Sequence, residues 1–293
     1  MARSVLIANL GARRATAGRL AALVDVFRSH GELLEVCTSG SPEEARAMAA
    51  AAVATDAPRV WVAGGDGSIH SVLPALTHAS TALGVIPWGT GNILARELGI
   101  PLNWRRAVRA LLRGTVRTLD AGRANGRVFC LFAGVGFDAE VVRNVSPQLK
   151  KISGRTAFIA SVCVTTGRWE PFHVKLTLDG EVCDQWAWLV VVANTSAYTG
   201  VVNLPDRVRP DDGVLDTVIV RAAPKSRIIW HTAAYALLRR RLAEASRHRA
   251  REVRVETDPP VCVQVDGELC EWTPLSVAVD AGALRVVVPA SGE

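Results

Sequence analysis

The chain has little with which to cross a membrane, cross-link itself or hold a transition metal. No apolar run reaches the ~18–20 residues that a membrane-spanning helix needs. The opening Met1-Ala2-Arg3-Ser4 leads into a short apolar run ending at Asn9, too short for a secretory signal. The six cysteines, Cys37, Cys130, Cys163, Cys183, Cys262 and Cys270, are scattered and form no Cys-x-x-Cys pair. Cys262 and Cys270 are too far apart for a zinc knuckle, so the cysteines read as small buried hydrophobes in a reducing compartment. The histidines show no His-Glu-x-x-His spacing. The Walker A pattern Gly-x-x-x-x-Gly-Lys-Ser/Thr is missing, and so is Gly-x-Gly-x-x-Gly after the first strand. There is no internal repeat, low-complexity segment or long flexible linker. The expectation is a soluble, cytoplasmic protein.

What the chain does have is size and positive charge. Its 293 residues favour two domains over one, and 49% hydrophobic residues suffice for substantial cores. The net charge is +6. Part of the excess is local: Arg239-Arg240-Arg241, Arg247, His248, Arg249, Arg251 and Arg254 fall within sixteen residues. Such a stretch faces anionic lipid or nucleic acid, or is an ordinary solvated helix face. It has no aromatic residue after Tyr235, which ranks membrane surface above nucleic acid.

The first 120 residues alternate strand and helix. Strands are expected at 4–9, 33–37, 59–63 and 82–86. Between and after them, helical spacing covers 16–30, 42–55, 68–76, 92–98 and 103–112. Ser41-Pro42-Glu43-Glu44 combines a cap, a first-turn proline and first-turn acids. Repeated β-α alternation implies a parallel sheet covered on both faces. After Asp120 the texture changes to short β-rich runs at 128–133, 173–178, 186–193, 215–220, 252–256, 261–265, 276–279 and 284–288. Asp179-Gly180 and Asp266-Gly267 are hairpin dipeptides. Helical insertions are expected at 138–145, 154–165 and 225–246. The fold class expected is an α/β N-terminal domain with a parallel sheet, 1–120, then a mainly antiparallel β-sandwich or barrel, 121–293. The last residues would pack back on the first domain.

Two glycine loops follow adjacent apolar strands. Residues 62–68 read Val-Ala-Gly-Gly-Asp-Gly-Ser, and 87–92 read Pro-Trp-Gly-Thr-Gly-Asn. Glycine loses more backbone freedom on folding than any other residue. Clustering it between a buried strand and a helix implies close approach of the backbone to something. Exposed N–H groups at a helix start make that something a polyphosphate. Ligands of parallel sheets sit beyond the carboxyl ends of the strands, where both loops fall.

Six blocks together resemble the catalytic domain of diacylglycerol kinases and related lipid kinases. They are Gly64-Gly65-Asp66-Gly67-Ser68, then Pro87-x-Gly89-Thr90-x-Asn92-x-x-Ala95-Arg96-x-Leu98-x-Ile100-Pro101, then Asp120. Gly134-Val135-Gly136-Phe137-Asp138-Ala139, Asp211-Asp212-Gly213-Val214-Leu215-Asp216 and Asp266-Gly267-Glu268 follow. They occur in the family's order and cover nearly the whole chain.

The resemblance implies a kinase of a lipid hydroxyl, diacylglycerol by default, that uses ATP and Mg2+. By position, the nucleotide would touch Asn9, Thr38, Gly64, Gly65, Asp66, Gly67, Ser68, Ile69, His70, Ser71, Gly89, Thr90 and Asn92. Glu268 matches the general base, and Asp120 matches an acidic residue that supports that base or the active-site magnesium. Asp212 matches a carboxylate on a structural magnesium ion, with carbonyls of Arg209 and Val214 nearby. Asp66 cannot favourably touch a polyanion by itself, so it would act catalytically through magnesium or water. The lipid head would enter a cleft between domains, with Phe158, Ile159, Ile228, Ile229 and Trp230 either on the acyl chain or in the core.

The partners implied are a lipid alcohol and an anionic membrane touched peripherally, with no nucleic acid; a homodimer stays open. The chain departs from the family at three places. The first strand ends Asn9-Leu10-Gly11-Ala12-Arg13 rather than Asn-Pro-x-Ser-Gly. An Asn-Glu pair is replaced by His70-Ser71, and an aspartate by Ile93. The altered first loop and Ile93 keep one alternative in view, a catalytically weak nucleotide- or lipid-binding regulator. The Gly-Gly-Asp-Gly loop and β-rich second domain, shared with the NAD kinases, keep another, a kinase of a soluble acceptor, although the acceptor-binding Asn-Glu pair of those enzymes is missing here.

Overall fold

The structure, a computed structural model, describes residues 3–11, 15–144, 161, 164–196, 208–224, 226 and 245–290. The expected insertions at 154–165 and 225–246 lie almost wholly outside these residues. So do Phe158, Ile159, Ile228, Ile229, Trp230 and Arg239-Arg240-Arg241. The chain divides into two compact units, Met1–Ala121 with Ala281–Glu293, and Gly122–Asp280.

The first unit runs β1 (Ser4–Asn9), α1 (Ala17–Ser29), β2 (Leu34–Ser39), α2 (Pro42–Ala54), β3 (Arg59–Gly64), α3 (Asp66–Leu76), β4 (Ala82–Pro87), α4 (Ile93–Glu97) and α5 (Trp104–Leu112). It then enters β5 (Thr115–Ala124). Strand order is β2-β1-β3-β4, all parallel, and the C-terminal strand Leu275–Val288 adds beside β4 through Val286 opposite Leu83. Helices start where the sequence signals them. The Thr16 hydroxyl accepts from Arg19 N–H, and the Ser41 hydroxyl accepts from Glu44 N–H. The Glu44 carboxylate in turn accepts from Gly40 N–H at 2.7 Å, which completes a near-reciprocal cap.

β3 and β4 are buried along almost their full length, as parallel strands covered on both faces must be. Trp61 fills the layer beneath α1, 5.0 Å between ring centroids from Phe27. Its six-membered ring lies where a side chain at position 84 would sit: a Cβ on Gly84 would overlap Trp61 Cε3. Gly84→Ala is expected to destabilise the chain by about 2–3 kcal/mol through overpacking, read as a lower urea midpoint with an unchanged slope.

The second unit completes β5 and continues through β6 (Arg127–Phe129), β7 (Phe132–Gly136), α6 (Phe137–Arg143), β8 (Phe172–Leu178) and β9 (Glu181–Ala193). β10 (Leu215–Arg221), β11 (Ala245–Ala250), β12 (Glu252–Asp258), β13 (Cys262–Val265), β14 (Glu268–Trp272) and β15 (Leu275–Val288) follow. The order β14-β13-β7-β9-β8-β12-β15 is antiparallel throughout, with β10 added to β9 and β11 to β10. Phe129, Phe172, Val174, Leu176, Val190 and Val255 centre its core.

Three hairpins close through two-residue turns, Asn125-Gly126, Asp179-Gly180 and Asp266-Gly267, and all six residues have positive φ. This is the type I′ geometry whose twist matches paired strands.

Four expectations change. The segment 245–250, expected to hold the end of a helix, is strand β11. Three arginines of the basic stretch are paired there: Arg247 with the buried Asp216, Arg249 with Asp212, and Arg254 on β12 with Glu256. β14 and β5 are strands where none was expected. β14 is a sheet edge exposed on most of its length, so its sequence lacks alternation. The two strands expected at 276–279 and 284–288 are one strand. Asp280-Ala281-Gly282 reads as a turn, and Gly282 does have φ +63°, but its N–H is held by Asp120 Oδ1 at 2.8 Å.

The described cysteines are free thiols. Burial, then the neighbouring Glu140 carboxylate, pushes the Cys262 thiol up to about 12.

Candidate functional site

The parallel register of the first unit sets Asn9, Gly64 and Pro87 at one edge of the sheet. Everything there is built around absent side chains. Gly64 O accepts from both Trp88 N–H at 2.9 Å and Gly89 N–H at 3.1 Å, so the second loop hangs from the first. A Cβ on Gly89 would lie 2.5 Å from Gly65 Cα, and one on Gly65 would lie 3.1 Å from Gly89 Cα. A Cβ on Gly64 would overlap the Ser68 hydroxyl, which accepts from Asn9 Nδ2 at 2.8 Å. The two loops therefore pack backbone on backbone.

Asn92 closes the second loop. It is 4% exposed, sits in the left-handed region at φ 49°, accepts from Gly89 N–H at 2.9 Å and donates to Gly89 O at 3.0 Å. Its side chain is thereby spent on the loop itself.

Asp66 joins the loops from the other side. Its Oδ1 accepts from Ile93 N–H at 2.7 Å and Leu94 N–H at 3.3 Å, capping the start of α4. Its Oδ2 lies where a Cβ on Gly91 would come within 2.9 Å.

Gly65 is the N-cap of α3 and supplies no side-chain cap. Ser68 and Ile69 N–H fold back onto Gly65 O at 3.0 and 3.2 Å. The amides of Asp66 and Gly67 precede any helical carbonyl they could reach, and the space beside Gly67 is open. A helix start flanked by a second glycine loop is suited to an anion.

The other positions expected on the nucleotide divide. Thr38 and Thr90 are exposed at the same edge of the sheet, and His70 is half-buried on α3. Ile69 is in the core at 2% exposed, and the Ser71 hydroxyl donates to Gly67 O at 2.8 Å, so both serve the helix. Asp120 is 4% exposed and holds Gly282 N–H.

In the second unit, Glu268 is the first residue of β14 and is exposed. Before it, Asp266 is 7% exposed, and its carboxylate accepts three backbone N–H groups, from Cys130, Leu131 and Phe132, each at 3.0 Å. Gln264 accepts Gly267 N–H at 2.7 Å. The sequence marks Asp266 only as half of a hairpin dipeptide and as the start of the Asp266-Gly267-Glu268 block, and it assigns Gln264 no role. For Gln264 a signal was present: it is the lone polar residue in the run Val261-Cys262-Val263-Gln264-Val265.

Asp212 has one oxygen on Arg249, while its Oδ1 is buried with no hydrogen-bond partner. A buried anionic oxygen left open, with backbone carbonyls of Arg209 and Val214 close in sequence, is a donor set that fits a hard cation. Among the described residues no three His, Cys, Asp or Glu side chains gather as a metal cluster, so carbonyls or waters would have to complete such a site.

Comparisons with known proteins place the chain in a family. Residues 3–124 match the diacylglycerol kinase catalytic domain, and residues 132–288 match the YegS C-terminal NAD kinase beta sandwich-like domain. The chain is 32% identical to the "Probable lipid kinase YegS-like" of Pseudomonas aeruginosa PAO1, over 92% of this chain and 89% of that protein. It is 29% identical to a diacylglycerol kinase of Mycobacterium tuberculosis H37Rv, over 96% of this chain and 98% of that one. A crystal structure of a diacylglycerol kinase from Bacillus anthracis Sterne shares the fold, with TM-score 0.76 at 22% identity over 98% and 96% of the two chains. The chain thus belongs to the diacylglycerol kinase family that includes the YegS-like lipid kinases, with an α/β catalytic domain followed by a β-sandwich-like domain.

Proposed function

We propose that this chain transfers the γ-phosphate of ATP to the hydroxyl of a membrane lipid, with diacylglycerol as the first acceptor. The observation that carries the reading is the close approach of Gly65 and Gly89 beside the uncapped start of α3. Backbone amides there can follow a triphosphate tail without a side chain intervening. Magnesium, when bound, neutralises charge on the phosphates and on the leaving group.

The remaining steps fall to the chain's own residues. Asn9 and Asn92 hold the loops in shape through Ser68 and Gly89. Asp66 Oδ2 is assigned to the catalytic cation, and Asp212 with the carbonyls of Arg209 and Val214 to a structural one. Glu268 takes the proton of the lipid hydroxyl late in transfer, as a carboxylate within reach of a poor nucleophile can. Asp120 supports that chemistry from β5.

Incubation with labelled ATP, magnesium and mixed micelles of diacylglycerol, a sphingoid base or another lipid alcohol tests this. Labelled lipid is the expected product. ATP binding with no labelled lipid from any acceptor class would leave a nucleotide-binding regulator in its place.

The acceptor implies peripheral contact with an anionic membrane. No helix among the described residues is long and apolar enough to cross one. Attachment through surface charge is screened by salt. Flotation with anionic vesicles is therefore expected to weaken from low to high salt, and salt-insensitive flotation would contradict this mode of attachment.

A further inference from the structure

We propose that Gln264 and Asp138 are positioning residues that clamp the hairpin tip carrying Glu268. The inference rests on Glu268 being the base. In a type I′ hairpin closed by Val265 opposite Glu268, the amides of the two turn residues lie outside the strand ladder. Here both are tied down. Asp266 N–H donates to Phe132 O at 3.0 Å, and Gly267 N–H donates to Gln264 Oε1 at 2.7 Å. The Asp266 carboxylate adds the amides of Cys130, Leu131 and Phe132.

Gln264 could present its carbonyl in more than one direction. Asp138, on α6, decides which: it accepts from Gln264 Nε2, leaving Oε1 to face Gly267. Both side chains are buried, Gln264 at 0% and Asp138 at 6% exposed. The bond exists because position 134 has no side chain. A Cβ on Gly134 would overlap Asp138 Oδ2 and lie 2.6 Å from Gln264 Nε2. The block Gly134-x-Gly136-Phe137-Asp138 and the block ending in Glu268 are thus one device, physically joined at Gln264. A turn held at this many points fixes the Cα–Cβ direction of the residue after it. That is the pre-organisation a proton-accepting carboxylate requires.

The test compares wild type, Asp138→Asn, and Gln264→Met combined with Asp138→Asn, which strands no buried charge. The combined variant should melt cooperatively and bind ATP as wild type does. Its kcat for lipid phosphorylation should fall about 10- to 100-fold, with KM for ATP nearly unchanged. Asp138→Asn alone keeps an acceptor oxygen for Gln264 and should recover most of that loss. Wild-type kcat in the folded combined variant, or a loss confined to KM, would overturn the inference.

Amide exchange reports on the clamp whatever the variants do. In the wild type, Gly267 N–H should exchange far more slowly than Gly180 N–H, which occupies the same place in the same type of turn. Equal rates would also overturn the inference. If Glu268→Ala leaves kcat intact, the base assignment falls and the positioning role with it. If Glu268→Ala abolishes kcat and the combined variant does not, this inference alone fails.

Discussion

Gly89→Ala is expected to abolish ATP binding while the chain stays folded. The new Cβ would sit 2.5 Å from Gly65 Cα, 2.9 Å from Asn92 Oδ1 and 3.3 Å from Gly65 N. Two of these atoms are backbone and cannot rotate away. The third belongs to the buried Asn92, which already holds both polar groups of Gly89. The only relief is for the loops to separate, which breaks the bonds from Trp88 and Gly89 N–H to Gly64 O. The amides then no longer converge. A loss of at least about 100-fold in ATP affinity follows, equivalent to roughly 3 kcal/mol. Titration calorimetry with ATP and magnesium, beside a thermal melt, separates this from unfolding. ATP affinity within threefold of wild type would remove the two-loop cradle from the account.

The second large effect is on stability, and it falls two residues from the proposed base. Asp266→Ala would remove the carboxylate that three buried backbone N–H groups donate to. Stranding buried donors costs about 1–3 kcal/mol each, less whatever water recovers, so a loss on the order of 4 kcal/mol is expected. Asp266→Asn should cost about half as much. Its carbonyl can still accept, and asparagine tolerates the φ of 49°. Urea denaturation measures both. Asp266→Ala with wild-type stability would mean that the turn is held by something other than its carboxylate. Glu268, exposed on the same hairpin, should show little stability change on truncation.

Much of this was legible in the residues. The β-α alternation, the cap at Ser41 and the two glycine loops each have a local cause that a sequence displays. Asp179-Gly180 and Asp266-Gly267 name their own hairpins, and Asn125-Gly126 carries the same signal, though the segment around it read as a boundary. What stayed hidden depends on partners distant in the chain. β11, Ala-Ser-Arg-His-Arg-Ala, has no apolar alternation, and its arginines find Asp212 and Asp216 over thirty residues earlier. β15 continues through Gly282 because Asp120, 162 residues away, takes the amide. At the site, glycine spacing pointed to the loops. It could not tell that Asn92 and Asp66 Oδ1 are occupied in holding the loops together, nor that Gln264 reaches Asp138 through the gap at Gly134.

The account turns on Glu268 acting as the acid-base partner of a lipid hydroxyl. The most direct measurement is kcat for phosphate transfer from labelled ATP to diacylglycerol by wild type and Glu268→Ala, with ATP affinity taken in parallel. Loss of a positioned base predicts a fall of about 10²- to 10⁴-fold in kcat at unchanged ATP affinity. Equal turnover by the two proteins would contradict it.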